Sequence, residues 1–212
     1  MCKPLCIGFS FILFLLLSTD VAAQHYVGMK GAQGVASISA LPNFRQKKLY
    51  TFSPGIFYRY EHFKYAAIQI EANYVNKGYI RDIDTVMITP ETAERITSFE
   101  LPLMAQGFIR MGIFRPYLTG GVTFGYILNR TTQIKGESRH EYVYDEYDRR
   151  FEYGIAGGGG TGIKISKFEL QLEARYIYHF SFLRNPVIVN RRNNYLNSTQ
   201  FMFSASLMYR LF

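Results

Sequence analysis

Apolar and polar residues alternate along this chain with a period of two, as they do in β-strands whose two faces meet different surroundings. Ile68, Ile70, Ala72 and Tyr74 alternate with Gln69, Glu71 and Asn73, and Phe168, Leu170, Leu172, Ala174, Tyr176 and Tyr178 alternate with Glu169, Gln171, Glu173 and Arg175. The pattern recurs through Phe99, Leu101 and Leu103, through Leu118, Val122, Phe124 and Tyr126, and through Phe201, Phe203, Ala205, Leu207 and Tyr209. Laid end to end, these segments predict eight strands, at about 26–39, 50–62, 64–76, 98–110, 115–129, 149–165, 168–182 and 198–212. Each is long enough to cross a bilayer as a tilted strand. The connections after the second, fourth and sixth strands are tight, around Phe63, Gly112 to Phe114 and Ser166-Lys167. The others are longer and polar. Short turns on one side and long loops on the other is the build of an outer-membrane barrel, whose short turns lie in the periplasm.

A soluble barrel or a β-sandwich also alternates. The position of the aromatics argues against both. Phe52, Tyr58, Tyr60, Tyr74, Phe151, Tyr153, Tyr176, Tyr178, Phe201 and Tyr209 fall near strand ends, with small residues such as Ala72, Ala105, Val122 and Ala174 between them. That distribution predicts the two aromatic girdles of a membrane barrel.

Composition narrows the picture. Aromatics make up 17% of the chain, all Tyr and Phe with no Trp, and the mean hydropathy is −0.04. After Leu17 no stretch is long and apolar enough for a spanning helix, so a membrane protein of this sequence must satisfy its backbone between strands. Lys3, the apolar run Leu5 to Leu17 and the small residues at Val21-Ala22-Ala23 predict a cleaved signal peptide at residues 1–23 and a barrel domain at 24–212. Cys2 and Cys6 lie in the leader, so no thiol chemistry is expected of the mature chain. Export also argues against nucleic acid as the destination of the net charge of +8.

Four motifs stand out: Ile70-Glu71-Ala72-Asn73-Tyr74 followed by Lys77-Gly78, Phe99-Glu100-Leu101-Pro102-Leu103, Arg115-Pro116-Tyr117-Leu118-Thr119-Gly120-Gly121, and Tyr153-Gly154-Ile155-Ala156-Gly157-Gly158-Gly159. With them the chain resembles the small outer-membrane β-barrel proteins of Bacteroidota, the porin-family and PorT-like proteins. The resemblance spans most of the mature chain and implies insertion by the barrel assembly machinery. One branch, the PorT-like proteins, is linked to type IX secretion. The end of the chain departs from the common pattern, with Arg210 where many such barrels carry an aromatic and Tyr209 one place earlier. The fold expected is all-β, an eight-stranded antiparallel transmembrane barrel of the OmpA/OmpX type in the outer membrane.

Strand parity sends Arg59, Glu71, Glu100, Arg110, Glu152, Lys164, Glu169, Glu173 and Arg175 into the lumen, where charges must pair. His179 shares that parity. Beside acids it could act as a general base in a lipid hydrolase or protease, although no serine stands in a recognisable nucleophile context. Gly157, Gly159 and Gly162 match the spacing of a dinucleotide loop but lie within a strand, where glycine more simply permits close backbone approach. The four histidines share no ligand spacing, so neither metal nor cofactor is expected. Arg45, Lys47 and Lys48 in the first long loop and Arg184, Arg191 and Arg192 in the fourth form an expected extracellular basic patch. Such a patch suits lipopolysaccharide phosphates or an acidic partner surface. The reading is a non-enzymatic envelope barrel with a side-chain-filled lumen, either a surface interaction or stability factor or an accessory of a secretion or transfer system. Its rivals are a small-solute porin and a His179-dependent enzyme.

Overall fold

A strand that offers apolar side chains to lipid can satisfy its backbone only against other strands, and pairing must continue until no edge is left. The computed structural model, which describes residues 23–40, 45–82, 92–134, 140–141, 150–180 and 196–211, has this arrangement. Its strands are β1 (Gln24–Ala40), β2 (Arg45–Glu61), β3 (Ala66–Asp82), β4 (Thr92–Phe108), β5 (Phe114–Ile134), β6 (His140–Glu141), β7 (Phe151–Ile165), β8 (Phe168–His179) and β9 (Leu196–Arg210). Eight of them form the wall, each antiparallel to its chain neighbours, and pairing of β1 with β9 and of β4 with β5 closes it. The two-residue β6 pairs only with Thr131 and Thr132 of β5.

Paired residues followed once around the wall define the shear. From Phe168 the row runs through Tyr209, Val27, Tyr58, Ile70, Leu103, Val122 and Ile155 and returns to β8 at Tyr178, ten residues further along (178 − 168). Eight strands with that stagger tilt by roughly 35–45° to the barrel axis. Every member of the row is apolar or aromatic and points outward. Alternate residues in β8 are buried, with Glu169, Gln171, Glu173, Arg175, Ile177 and His179 facing the lumen.

All eight predicted wall strands are present, with the tight turns where expected. Gly112 and Ser166 sit in two of these turns with φ of 63° and 57°. The boundaries differ at the loop side. β3 continues to Asp82 and β4 starts at Thr92, because backbone pairing persists where the apolar alternation has ended. A strand of 17 residues, such as β3, rises about 43 Å at about 3.3 Å per residue and a tilt of roughly 40°, whereas the apolar band is only about 25 Å tall. The wall therefore projects beyond the membrane on the loop side. A bulge in β5 sets Thr97 opposite Asn129 and Ser98 opposite Ile127, leaving Leu128 as the extra residue. It inverts the parity of the remainder of the strand, so Arg130 turns inward. Arg45, Lys47 and Lys48, expected in a loop, belong to β2, where Arg45 is level with Asp82 of β3.

Candidate functional site

The lumen gathers the chain's buried chemistry. At the turn end Arg115 of β5 donates to Glu61 of β2 at 2.6 Å and to Glu169 of β8 at 2.9 Å. Its guanidinium lies 3.6 Å from the centre of the Phe108 ring. Arg59 adds longer ion pairs to the same two carboxylates, at 3.7 and 3.8 Å, and donates to Gln69 at 3.0 Å and Gln171 at 2.7 Å. In the next layer Arg175 of β8 forms a fork with Glu71 of β3, at 2.9 and 2.8 Å. These two strands stand opposite each other in the ring of eight. Lys30 donates to Glu71 at 2.5 Å, Arg175 to Glu173 at 2.5 Å, and the Tyr117 hydroxyl to Glu173 at 3.2 Å.

Nearer the loops Lys77 reaches Glu152 at 2.6 Å and Glu100 at 3.3 Å, and Gln200 donates to Glu100 at 3.3 Å. Arg130, turned inward by the bulge, pairs with Glu94. Apolar residues fill the space between these groups. Ala32, Met104, Ala156, Ile177 and Met202 form one cluster, and Ile177 separates Arg175 from His179 along β8. Tyr26, Phe57 and Met208 form a second, and Ala67, Phe108 and Tyr117 a third. Each cross-lumen pair is a strut between strands that share no backbone hydrogen bond. Charge-assisted bonds of this kind are strong, and their partners are out of water.

Of the residues expected in the lumen, Arg59, Glu71, Glu100, Glu152, Glu169, Glu173 and Arg175 are buried there. Lys164 is half-buried near the turn end. Arg110 is a correction: it lies beyond the last residue of β4, with 42% of its side chain exposed, and reaches Glu61 from the rim at 3.5 Å. Lys30, Glu61, Lys77, Glu94, Arg115 and Arg130 are lumen charges that the parity count did not include. His179 is fully buried, but its acidic neighbours come from other strands than its own, Glu100 being 3.7 Å from Nε2. The side chains of Arg45, Lys47 and Lys48, and the whole of Arg184, Arg191 and Arg192, lie outside the described residues. Within the glycine run, contact explains Gly158 and Gly160 but not Gly157, whose Cβ would meet nothing closer than 4.0 Å. A Cβ on Gly160 would stand 2.1 Å from the Leu172 carbonyl oxygen, and one on Gly158 would stand 2.3 Å from that of Ala174.

A closed antiparallel wall with an apolar exterior and an ion-paired interior defines a transmembrane β-barrel. The sequence matches the outer membrane protein beta-barrel domain over residues 26–185, and the chain belongs to that family and to the outer membrane. No curated protein matches it. Neisserial surface protein A is similar in structure, with 16% identity and a TM-score of 0.50 over 90% of this chain and 100% of that one. OprG from Pseudomonas aeruginosa is similar at 11% identity and a TM-score of 0.52, over 89% and 96%. At such identities the likeness is one of fold.

Proposed function

We propose that this chain is a non-enzymatic, non-conducting barrel that serves as a rigid outer-membrane mount for its extracellular loops. The observation that carries the reading is the Glu71–Arg175 fork, which spans the lumen between opposite strands. With the turn-end pairs below it and the Lys77 pairs above, it leaves the interior to side chains rather than to solute. The extension of the wall past the apolar band supports surface presentation. His179 is fully buried, which disfavours a hydrolase acting on external lipid or peptide.

The loop face then meets lipopolysaccharide phosphates or an acidic partner through Arg45, Lys47, Lys48, Arg184, Arg191 and Arg192. An accessory role in a secretion or transfer system, as the PorT-like resemblance implies, is the form in which a protein partner would replace lipid. The test is binding of refolded barrel to lipopolysaccharide. Attachment should weaken with salt and fall on charge reversal of Arg191 and Arg192 far more than on reversal of Arg139 and Arg149. Equal binding by the two double variants would overturn the assignment of the basic patch.

A further inference from the structure

Buried charges balance along the lumen except at one level. Among the described residues, Arg59 and Arg115 face Glu61 and Glu169, Lys30 and Arg175 face Glu71 and Glu173, and Arg130 faces Glu94. At the level of Lys77 two carboxylates, Glu100 and Glu152, share one cation. The wall register forces this meeting. Glu100 of β4, Gly125 of β5 and Glu152 of β7 stand in one row across three adjacent strands. Because Gly125 has no side chain, the acids on either side lean together over it. A Cβ there would lie 3.3 Å from Cγ of Glu100 and 3.6 Å from Cβ of Glu152.

The same place holds His179, with 0% of the residue exposed, no side-chain hydrogen-bond partner on either ring nitrogen among the described residues, and the Ser198 backbone beside the ring. Oε2 of Glu100 and Oε1 of Glu152 are also buried without a partner. Orphaned buried polar atoms are costly, and Nε2 of His179 stands 3.7 Å from Oε1 of Glu100, the oxygen that also meets Lys77 and Gln200. One ligand atom from each of Glu100, Glu152 and His179 lies within 4.8 Å of the other two.

We propose that Glu100, Glu152 and His179 form a lumenal binding site for a divalent transition-metal ion. Two carboxylate oxygens and an imidazole nitrogen, with no thiolate, suit zinc, manganese, cobalt or ferrous ions better than soft monovalent copper. The ion would meet one donor atom from each of the three residues and would more than offset the single excess negative charge of this level, leaving it at +1 while Lys77 stays protonated. Lys77 is the competitor. It holds the other oxygen of each carboxylate, Oε1 of Glu100 and Oε2 of Glu152, and repels a second cation. Removing its charge should therefore tighten binding.

The experiment uses full-length barrel refolded in detergent and titrated with Co²⁺, read by visible absorption and calorimetry, with Zn²⁺ as the displacing ion. The wild-type protein should bind one Co²⁺ per barrel. His179→Ala and Glu152→Gln should each weaken binding at least about tenfold, His140→Ala should leave it unchanged, and Lys77→Met should strengthen it. Heat-modifiable gel migration confirms that each variant has folded; should His179→Ala fail to fold, Glu152→Gln and Lys77→Met decide. Binding that survives both ligand substitutions overturns the proposal, as does absence of saturable binding. Binding by the Lys77→Met barrel alone would mean that Lys77 already fills the site and would overturn the proposal for the native chain.

Discussion

Arg175→Met should be among the most destabilising single changes in this barrel. The substitution keeps the apolar stem and removes three charge-assisted hydrogen bonds, two to Glu71 at 2.9 and 2.8 Å and one to Glu173 at 2.5 Å. Among the described residues Glu173 keeps only the Tyr117 hydroxyl at 3.2 Å, and Glu71 keeps Lys30, Gln69 and Asn73. Breaking a buried pair by removing one partner costs about 3–5 kcal/mol, and the bonds left to Glu71 place the expected loss near the lower end. With a urea m-value of about 2 kcal/mol/M, 3 kcal/mol lowers the unfolding midpoint by about 1.5 M. Arg110→Met is the matched control. Its side chain is 42% exposed and its contact to Glu61 is 3.5 Å long, so the loss should stay under about 1 kcal/mol. Urea titration in lipid vesicles, followed by tyrosine fluorescence and gel mobility, measures both. Adding Glu71→Gln to Arg175→Met should cost less than the two changes separately, by about 1–3 kcal/mol of coupling. Equal midpoints for Arg175→Met and Arg110→Met, or strict additivity with Glu71→Gln, would refute the claim that cross-lumen pairs brace the wall.

Leu172 faces lipid near mid-wall, so Leu172→Arg should cost about 2–4 kcal/mol in the same assay, whereas Tyr50→Arg at the loop-side end of the wall should cost at most about 1 kcal/mol. Gly160→Ala places a Cβ 2.1 Å from the Leu172 carbonyl oxygen and should lose about 1–3 kcal/mol; Gly157→Ala, whose nearest neighbour atom is 4.0 Å away, should be neutral or slightly stabilising. Ser166 holds φ of 57°, a conformation glycine adopts freely, so Ser166→Gly should raise the midpoint by an amount equivalent to about 1 kcal/mol.

Strand number, faces and turns were legible because the membrane imposes them on every strand alike. Lipid demands an apolar residue at each outward position, and Phe168, Leu170 and Leu172 or Leu101 and Leu103 carry that demand in sequence. The lumen was legible only where alternation is strong. Lys30 lies among Gly28, Gly31 and Gly34, which dilute the pattern, and Lys77 stands one residue beyond the predicted end of its strand. Arg130 comes after a bulge that no alternation count reveals. Partnership was less legible still, because it depends on the stagger of the closed wall. Parity set His179 on the lumen face with Glu169 and Glu173 of its own strand but named no acid as its neighbour. The shear brings it Glu100, from a strand three places around the ring.

The most direct test of a lumen closed by side chains is electrical. Purified barrel inserted into planar bilayers should give no stable open conductance, and Glu71→Ala combined with Arg175→Ala, which removes the strut at mid-lumen, should produce current where the wild-type protein gives none. Steady open levels of porin size from the wild-type protein would contradict the filled lumen, and with it the reading of this barrel as a mount for its loops rather than a passage.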